Sequence, residues 1–246
     1  MCRVTFLTTT ILGLVITMSP MAGAESHEIF DAVSDGDVER VRDLLALDPA
    51  LRELRDENGR APFHWAIMKS QQDLWPLLET SELLHSPDSM GLTPIFMAIT
   101  NRGSAAVDWL IEQGADIQAA KPGDGQAPLH WAAELGRTEA VRSLLAAEAK
   151  VEAKNRVNST PLLVAAKLGR TECLSLLLEA GANPNQKNLV GLTPLMIAAL
   201  RDYREIITAL LEAGADPNLR DGRGKTALDY AQEKEYVEVV KILRGD

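Results

Sequence analysis

The sequence predicts an all-α fold, a solenoid of stacked helix–turn–helix units with short β-hairpin fingers between them. The main observation is a six-residue pattern that starts with Thr or Ala, is usually followed by Pro, and closes on Ala. Successive copies are separated by 32, 34, 33, 33 and 33 residues. A fixed period of this length is typical of repeat architectures, in which each unit buries its apolar face against its neighbours. The copies begin at Ala61, Thr93, Ala127, Thr160, Thr193 and Thr226.

The composition supports this fold class and excludes several functions. Of the 246 residues, 46% are apolar and only 4% aromatic, and the abundant Ala and Leu favour helices with small residues at close contacts. The net charge of −10 disfavours nucleic acid and anionic membranes as partners, because both require a basic face. Two cysteines are too few for a disulfide scaffold or a structural zinc cluster.

Each unit predicts two antiparallel helices. The first begins at the proline, whose missing N–H would have no intrahelical partner in the first turn. In three units a glycine ends this helix, at Gly103, Gly136 and Gly169. Paired apolar residues such as Leu144 and Leu145 then mark a second helix.

The second helix is predicted to end at a Gly-Ala-Asp or Gly-Ala-Asn triplet in three units. These triplets begin at Gly114, Gly181 and Gly214, and glycine suits the left-handed conformation that follows many helices. A short polar segment with Asn or Asp and Gly, such as residues 221–224, then turns the chain as a finger.

The 33-residue period, the Thr-Pro-Leu-His-x-Ala pattern, the Leu-Leu pair and the Gly-Ala-Asp/Asn end together resemble the ankyrin repeat family. The resemblance covers nearly all of residues 25–246 and implies one ankyrin repeat domain. Its capping repeats would be residues 25–57 and 224–246, with repeats between them at about 58–90, 91–124, 125–157, 158–190 and 191–223. It also implies a concave surface of fingers and first helices that binds another protein.

Two units depart from the pattern. The unit at Ala61 lacks the glycine between its helices, places Pro76 inside its second helix and has no Gly-Ala-Asp end, so we expect a kink or an early stop there. The unit at Thr93 is one residue longer, which predicts a lengthened finger at residues 121–125.

The first 24 residues have the layout of a secretory signal. Arg3 precedes an uncharged run, and the small residues Ala22 and Ala24 fit a signal peptidase site. We expect cleavage after Ala24, export to a bacterial periplasm and no stable membrane insertion afterwards, with secretion as the second choice. An uncleaved anchor is the alternative, although the threonines and Pro20 make the run a poor membrane span.

Two groups of residues could suggest ligand chemistry, and each has a simpler interpretation. Residues 223–226 resemble the end of a phosphate-binding loop, but Leu219 stands where its first glycine is required. His64 and His130 are at least a full repeat apart and lack any metal-binding motif. The family resemblance implies that both histidines bond to neighbouring backbone. We therefore expect no cofactor and no metal.

The remaining candidates are also interpreted as structural. Trp65 and Trp131 are assigned to the core between repeats, and Cys173 to the apolar face of a second helix as a buried thiol. No nucleophile with a neighbouring base is recognisable, so no catalytic residues are predicted.

Partner contacts are expected at finger tips and on the exposed face of the first helices. The fingers near Met90 and Leu189 are apolar although they should face water, and an exposed apolar patch normally marks an interaction site. The alternative is that neighbouring fingers and first helices cover these side chains. The predicted contact residues are Arg60, Lys69, Met90, Leu92, Asn101, Gln126, Glu134, Val157, Lys167, Leu189, Val190, Leu192, Leu200 and Arg201.

These observations predict a monomeric, non-enzymatic scaffold of the cell envelope that binds a protein partner, as an inhibitor, an immunity factor or an accessory subunit. A secreted effector that acts on a host or competitor protein is the alternative. An enzyme with an unrecognised site in the groove is a more distant one.

Overall fold

The computed structural model describes the backbone of residues 22–101 and 104–246, and the side chains from residue 27 onward within those ranges. The described residues form fourteen α-helices, with 3-10 helices at Pro49–Glu53 and Gln72–Leu74. The α-helices are α1 (Ala22–Asp35), α2 (Val38–Leu47), α3 (Pro62–Met68), α4 (Trp75–Leu78), α5 (Pro94–Thr100), α6 (Ala105–Glu112), α7 (Pro128–Leu135), α8 (Thr138–Ala146), α9 (Pro161–Leu168), α10 (Thr171–Glu179), α11 (Pro194–Ala199), α12 (Arg204–Glu212), α13 (Ala227–Glu233) and α14 (Val237–Arg244).

The helices stack in two layers. The first helices of successive units, α1, α3, α5, α7, α9, α11 and α13, pack side by side, and from α6 to α14 the second helices form a parallel row behind them. One continuous apolar core, rich in Ala, Leu and Ile, runs between the two layers. Each unit therefore contributes one slice of the core and completes the slices on either side.

The predicted helix starts and ends are observed. Thr160, Thr193 and Thr226 have extended backbones, and each hydroxyl accepts a hydrogen bond from the N–H three residues later. Gly136 and Gly169 adopt left-handed conformations that end α7 and α9. Gly103, predicted to play the same part, lies outside the described residues.

The unit at Ala61 stops early, as the sequence predicts. Its second helix is reduced to a 3-10 turn followed by the four residues of α4, and Pro76 is the second residue of α4, where its missing N–H has no intrahelical partner. Leu83 and Leu84 in the following turn are buried and belong to the continuous core.

The two repeated histidines have the structural role implied by the family resemblance. Nδ1 of His64 accepts the Ala61 N–H at 3.1 Å, so the ring proton is on Nε2, which donates to the Ser86 carbonyl at 2.8 Å. His130 makes the same bonds to Ala127 at 3.2 Å and Ser159 at 2.9 Å. His64 thus ties the start of its first helix to the chain just before the next finger, and His130 ties the start of its helix to the last residue of the next finger.

The fingers are turns, and the predicted β-hairpins are not observed, since the described residues contain no strand. In the regular finger an Asp or Asn side chain accepts N–H bonds from the second and fourth residues after it, as Asn188 does from Val190 and Leu192. Neighbouring fingers share a single backbone bond, such as Leu189 N–H to the Val157 carbonyl at 3.2 Å. One bond per neighbour is too few to build a sheet.

One joint between fingers lacks this bond. The donor is always the second residue of the later finger, and in the finger at residues 121–126 that residue is Pro122, which has no N–H to offer the Met90 carbonyl. This finger is also the lengthened one, because its closing bond runs from Lys121 N–H to the Gln126 carbonyl, five residues ahead instead of four. The ladder of fingers is therefore interrupted between Met90 and Pro122.

The predicted secretory signal falls largely outside the described part of the chain. Residues 1–21 are not described, and the backbone of Ala22 and Ala24 forms the start of α1. Among the described helices, none combines the length and the apolar character needed to cross a bilayer.

Candidate partner-binding groove

A groove of about 640 Å³ crosses the concave face of three successive units. Its walls come from the first helices α7, α9 and α11, from the fingers before them, and from Lys234 at the end of α13. The lining residues are Asp124, Gln126, Glu134, Asn155, Val157, Ser159, Leu163, Val164, Lys167, Leu168, Asn188, Leu192, Ile197, Leu200, Arg201 and Lys234.

The floor of the groove is aliphatic. Val164 and Ile197 occupy the position after the histidine slot of the repeat, and both are nearly covered by their surroundings. The sequence interpretation missed them, because it assigned that slot to the core between repeats on the basis of Trp65 and Trp131. Those two tryptophans do pack against the core, but both are only half-buried, and Val164 and Ile197 in the same slot line the groove. The slot therefore belongs to the core and also borders the concave surface.

Opposite charges line opposite ends of the groove. Asp124 and Glu134 lie at the α7 end, whereas Lys167, Arg201 and Lys234 follow one another at the ends of α9, α11 and α13. The acidic groups already have partners, since Lys121 Nζ lies 3.2 Å from Asp124 and Gln126 Nε2 donates to Glu134 at 2.7 Å.

The structure brings half of the fourteen predicted contact residues together in this groove. They span three units of the chain and include both charged and aliphatic side chains. They are Gln126, Glu134, Val157, Lys167, Leu192, Leu200 and Arg201.

Three other predicted residues stand at finger tips outside the groove. Met90, Leu189 and Val190 are 70%, 69% and 62% exposed, compared with 55% for Val157 on the groove wall. Neighbouring fingers therefore leave these four side chains open to solvent. Leu92, Leu192 and Leu200 behave differently, because they pack partly against the core, as the alternative interpretation expects.

The last three predicted residues have contacts within the protein. Arg60 Nε lies 3.3 Å from Asp88, whose side chain is fully buried. Asn101 donates to the Ile67 carbonyl at 3.0 Å and so joins two units, while the Lys69 ammonium lies 6.0 Å from the centre of the Trp65 ring. The structure places these residues toward the N-terminal units, away from the groove.

A second cavity of about 630 Å³ lies at the N-terminal end of the concave face. Phe30 and Trp65 meet there with ring centres 6.0 Å apart, and the Trp65 indole donates to Asp56 at 2.9 Å. Arg60 lines this cavity. The aromatic pair and the charged rim distinguish it from the aliphatic groove.

Three of the groups singled out for possible chemistry, His64, His130 and Cys173, are buried. Removal from water lowers the pKa of His64 and His130 below the usual value and keeps both rings neutral. Burial raises the pKa of the Cys173 thiol, which is buried and therefore unreactive. Within the described ranges, no three His, Cys, Asp or Glu side chains come together as metal ligands would.

Stacked helix–turn–helix units, recurring caps and a concave groove define a repeat solenoid with a binding face, as distinct from an enzyme fold with a central pocket. A family model described as ankyrin repeats (3 copies) matches residues 29–121 and 118–188, and one described as ankyrin repeats (many copies) matches residues 177–231. The chain belongs to the ankyrin repeat family. Ankyrin repeats are scaffolds for protein–protein interaction.

The chain is also similar to parts of several known proteins. It is 30% identical over 135 residues to the tyrosine-protein kinase Shark of Drosophila melanogaster, covering 53% of this chain and 14% of the kinase. It is 30% identical over 120 residues to the neurogenic locus notch homolog protein 1 of Xenopus tropicalis, covering 48% of this chain and 5% of that protein.

A third similarity covers more of the relative. The chain is 27% identical over 158 residues to the "Probable 26S proteasome regulatory subunit p28" of Saccharomyces cerevisiae, which spans 48% of this chain and 69% of the yeast protein. The shared segments are small parts of the kinase and of the notch protein, so the activities of those proteins do not transfer.

Proposed function

We propose that this protein is a non-enzymatic scaffold that binds a protein partner in the groove across α7, α9 and α11. The observation that supports this most directly is the open aliphatic surface of the groove, with Val157 more than half exposed. Covering exposed apolar surface in a concave site removes it from water, which favours the binding of a partner there. The family is one of protein-binding scaffolds, which makes a protein the natural partner.

A matched pair of single substitutions tests the binding site. Val157→Asp places a charge in the groove. Val237→Asp places the same charge outside the groove, at the start of α14, where the valine is 63% exposed. Neither substitution disturbs a buried side chain, so both variants should melt within a few degrees of the native protein.

The measurement compares cross-linked partners of the immobilised chain in an envelope extract, identified by mass spectrometry. Proteins captured by the native chain and by Val237→Asp should be lost with Val157→Asp. Equal capture by all three chains would show that the groove is not the binding surface.

We also propose that residues 1–24 direct export to a bacterial periplasm and are removed after Ala24. The support is the arrangement of Arg3, the uncharged run and the small residues Ala22 and Ala24. Sequencing the N-terminus of the protein from its native host tests the cleavage, and an intact Met1 in the membrane fraction would indicate an anchor. Fractionation tests the destination, since accumulation in the medium would favour a secreted effector.

Within the envelope, the proposed role is to restrain, protect or assist one partner as an inhibitor, immunity factor or accessory subunit. A scaffold without catalytic groups can act only by occupying a surface of its partner. Once the partner is captured, its activity measured with and without the native chain distinguishes restraint from assistance.

A further inference from the structure

We infer that the groove binds an extended protein segment whose carboxylates recur at about every third residue, with aliphatic side chains between them. This inference rests on the proposed function, because it specifies the chemistry of the partner in the same groove. It is carried by a row of three cations beside the aliphatic floor.

The row consists of Lys167, Arg201 and Lys234, which lie at or just beyond the C-terminal end of the first helix in three successive units. Arg201 and Lys234 share one repeat position, and Lys167 stands one position earlier in its unit. All three are exposed, and within the described residues none lies within 4.0 Å of a carboxylate. In contrast, Lys225 in the finger before α13 is paired with Glu233, whose carboxylate lies 2.5 Å from its ammonium. In a chain with a net charge of −10, three neighbouring cations without an internal partner form a distinct local positive field.

Helix stabilisation alone does not explain this row. A cation near a helix C-terminus interacts favourably with the helix dipole, and every first helix offers that opportunity. Yet Glu134 stands near the end of α7 and Thr100 ends α5, so the cations are not a general feature of the repeat. Lys69 at the end of α3 occupies the same repeat position as Arg201 and Lys234, but its ammonium lies 6.0 Å from the centre of the Trp65 ring and outside the groove. Only after α7 do cations follow one another in three successive units.

The spacing of the row suits an extended chain. Packed helices lie about 8–10 Å apart, so the three cations fall at intervals of roughly that length. An extended chain advances about 3.3 Å per residue, and three residues therefore cover about 10 Å. Acidic residues at every third position of a segment that runs along the solenoid axis would each meet one cation.

The surface beside the row selects a protein over a nucleic acid. Val157, Leu168 and Leu200 line the groove next to the cations, and they offer aliphatic contacts to the side chains between the acidic ones. The carboxylates of Asp124 and Glu134 at the α7 end would repel a continuing phosphate backbone. A segment with carboxylates at one end and neutral or basic residues at the other matches both ends.

A display library of random peptides about ten residues long tests the inference, because that length covers the row with residues to spare. Peptides are selected on the full chain and then measured against two triple variants. One variant is Lys167→Gln, Arg201→Gln and Lys234→Gln. The matched control is Lys150→Gln, Lys154→Gln and Arg244→Gln, three exposed cations outside the groove with the same change in net charge.

The selected peptides should carry Asp or Glu at every third position beside Leu, Ile, Val or Met. Their binding should weaken about tenfold or more with the groove variant and remain unchanged with the control, since three exposed ion pairs are lost. Selected peptides without that acidic spacing, or with equal binding to both variants, would overturn the inference.

Two further arms separate this inference from the proposed function and from nucleic acid binding. If peptides lose binding with Val157→Asp but not with the triple Gln variant of the groove, the groove is the binding site and the inference of an acidic segment is wrong. Failure to select any peptide rejects an extended segment, while the cross-linking experiment still decides whether the groove binds a folded protein. A labelled single-stranded oligothymidylate bound in the groove more tightly than the peptides would also overturn the inference.

Discussion

Gly191 lies so close to Gly222 in the next finger that a β-carbon at residue 191 would stand 2.7 Å from the Gly222 amide nitrogen. The same relationship recurs between other fingers, where Gly59 faces Ser89 and Gly91 faces Pro122. The glycine lets two turns approach closely enough for one backbone bond, here from Gly222 N–H to the Val190 carbonyl at 3.2 Å. The position of Leu189 and Val190 therefore depends on this joint.

Gly191→Ala should lower the free energy of unfolding by more than Gly224→Ala does. Both glycines have left-handed backbones, which cost a side chain about 1–2 kcal/mol, but nothing lies within 4 Å of a β-carbon at Gly224 in the last finger. The difference, at least about 1 kcal/mol, isolates the contact between fingers. Urea unfolding of the two variants measures it, and equal losses would mean that the joint does not contribute.

Glu148→Gly should stabilise the protein. Glu148 follows α8 in a left-handed conformation with φ of 61°, where the corresponding Gly114, Gly181 and Gly214 have φ between 85° and 87°. Removing the side chain relieves about 1–2 kcal/mol of strain in the folded protein. Glycine also makes the unfolded chain more flexible, which lowers the free energy of unfolding by about 0.4–1 kcal/mol and offsets part of this gain. A gain of about 0.5–1 kcal/mol in urea unfolding is expected, and a loss would show that the Glu148 side chain makes a compensating contact.

His130→Ala should destabilise the protein by about 2–4 kcal/mol, because it leaves a buried backbone N–H at Ala127 and a carbonyl at Ser159 without their partner. The exposed His85 provides the control, and His85→Ala should change the stability by less than about 0.5 kcal/mol. Comparable urea midpoints for the two variants would contradict the structural role assigned to His130.

Stability should fall as the pH drops below the ordinary histidine pKa of about 6.5. The pKa values of His64 and His130 are lowered by burial, so the unfolded chain takes up protons in this window while the folded chain does not. The contribution is fully present above the unfolded pKa and is lost as the pH falls through the folded pKa, with a slope of at most about 1.4 kcal/mol per pH unit for each histidine.

A variant with His64→Gln and His130→Gln should lose most of this pH dependence between about pH 7.5 and pH 5. Carboxylates act at lower pH. Hydrogen bonds from Thr226 lower the pKa of Asp229, so its contribution is lost only below the ordinary aspartate range. An unchanged slope in the double variant would assign the pH dependence to other groups.

Pro122→Ala should restore the missing joint between fingers. By analogy with the other joints, the new N–H at residue 122 should donate to the Met90 carbonyl and become protected from hydrogen exchange, as the Ser89 amide is by its 2.8 Å bond to Asn58. The Ser89 amide provides the internal reference. Fast exchange at residue 122 would show that the lengthened finger, and not the proline alone, interrupts the ladder.

The periodic elements were predictable because each depends on local chemistry. Pro128 begins α7, Gly136 ends it, and the short α4 follows from Pro76 and the absence of a glycine before it. The β-hairpins were predicted wrongly, because the sequence of a finger does not show how many backbone hydrogen bonds it forms with the neighbouring finger.

The candidate groove was predictable only in part. The exposed tips Met90 and Leu189 follow from apolar residues in turn segments. Sequence could not show that Arg60 is engaged by buried Asp88, or that Asn101 bonds to the previous unit, because both contacts join residues about one period apart.

The sequence by itself determined the family and most starts and ends of the first helices, because period, caps and apolar faces are properties of residues close together in the chain. The tertiary structure decided which side chains share the groove. Val164, Ile197 and the row ending in Lys234 come together only when first helices from different units pack side by side. That packing fixes how far apart the cations stand and which aliphatic groups remain uncovered.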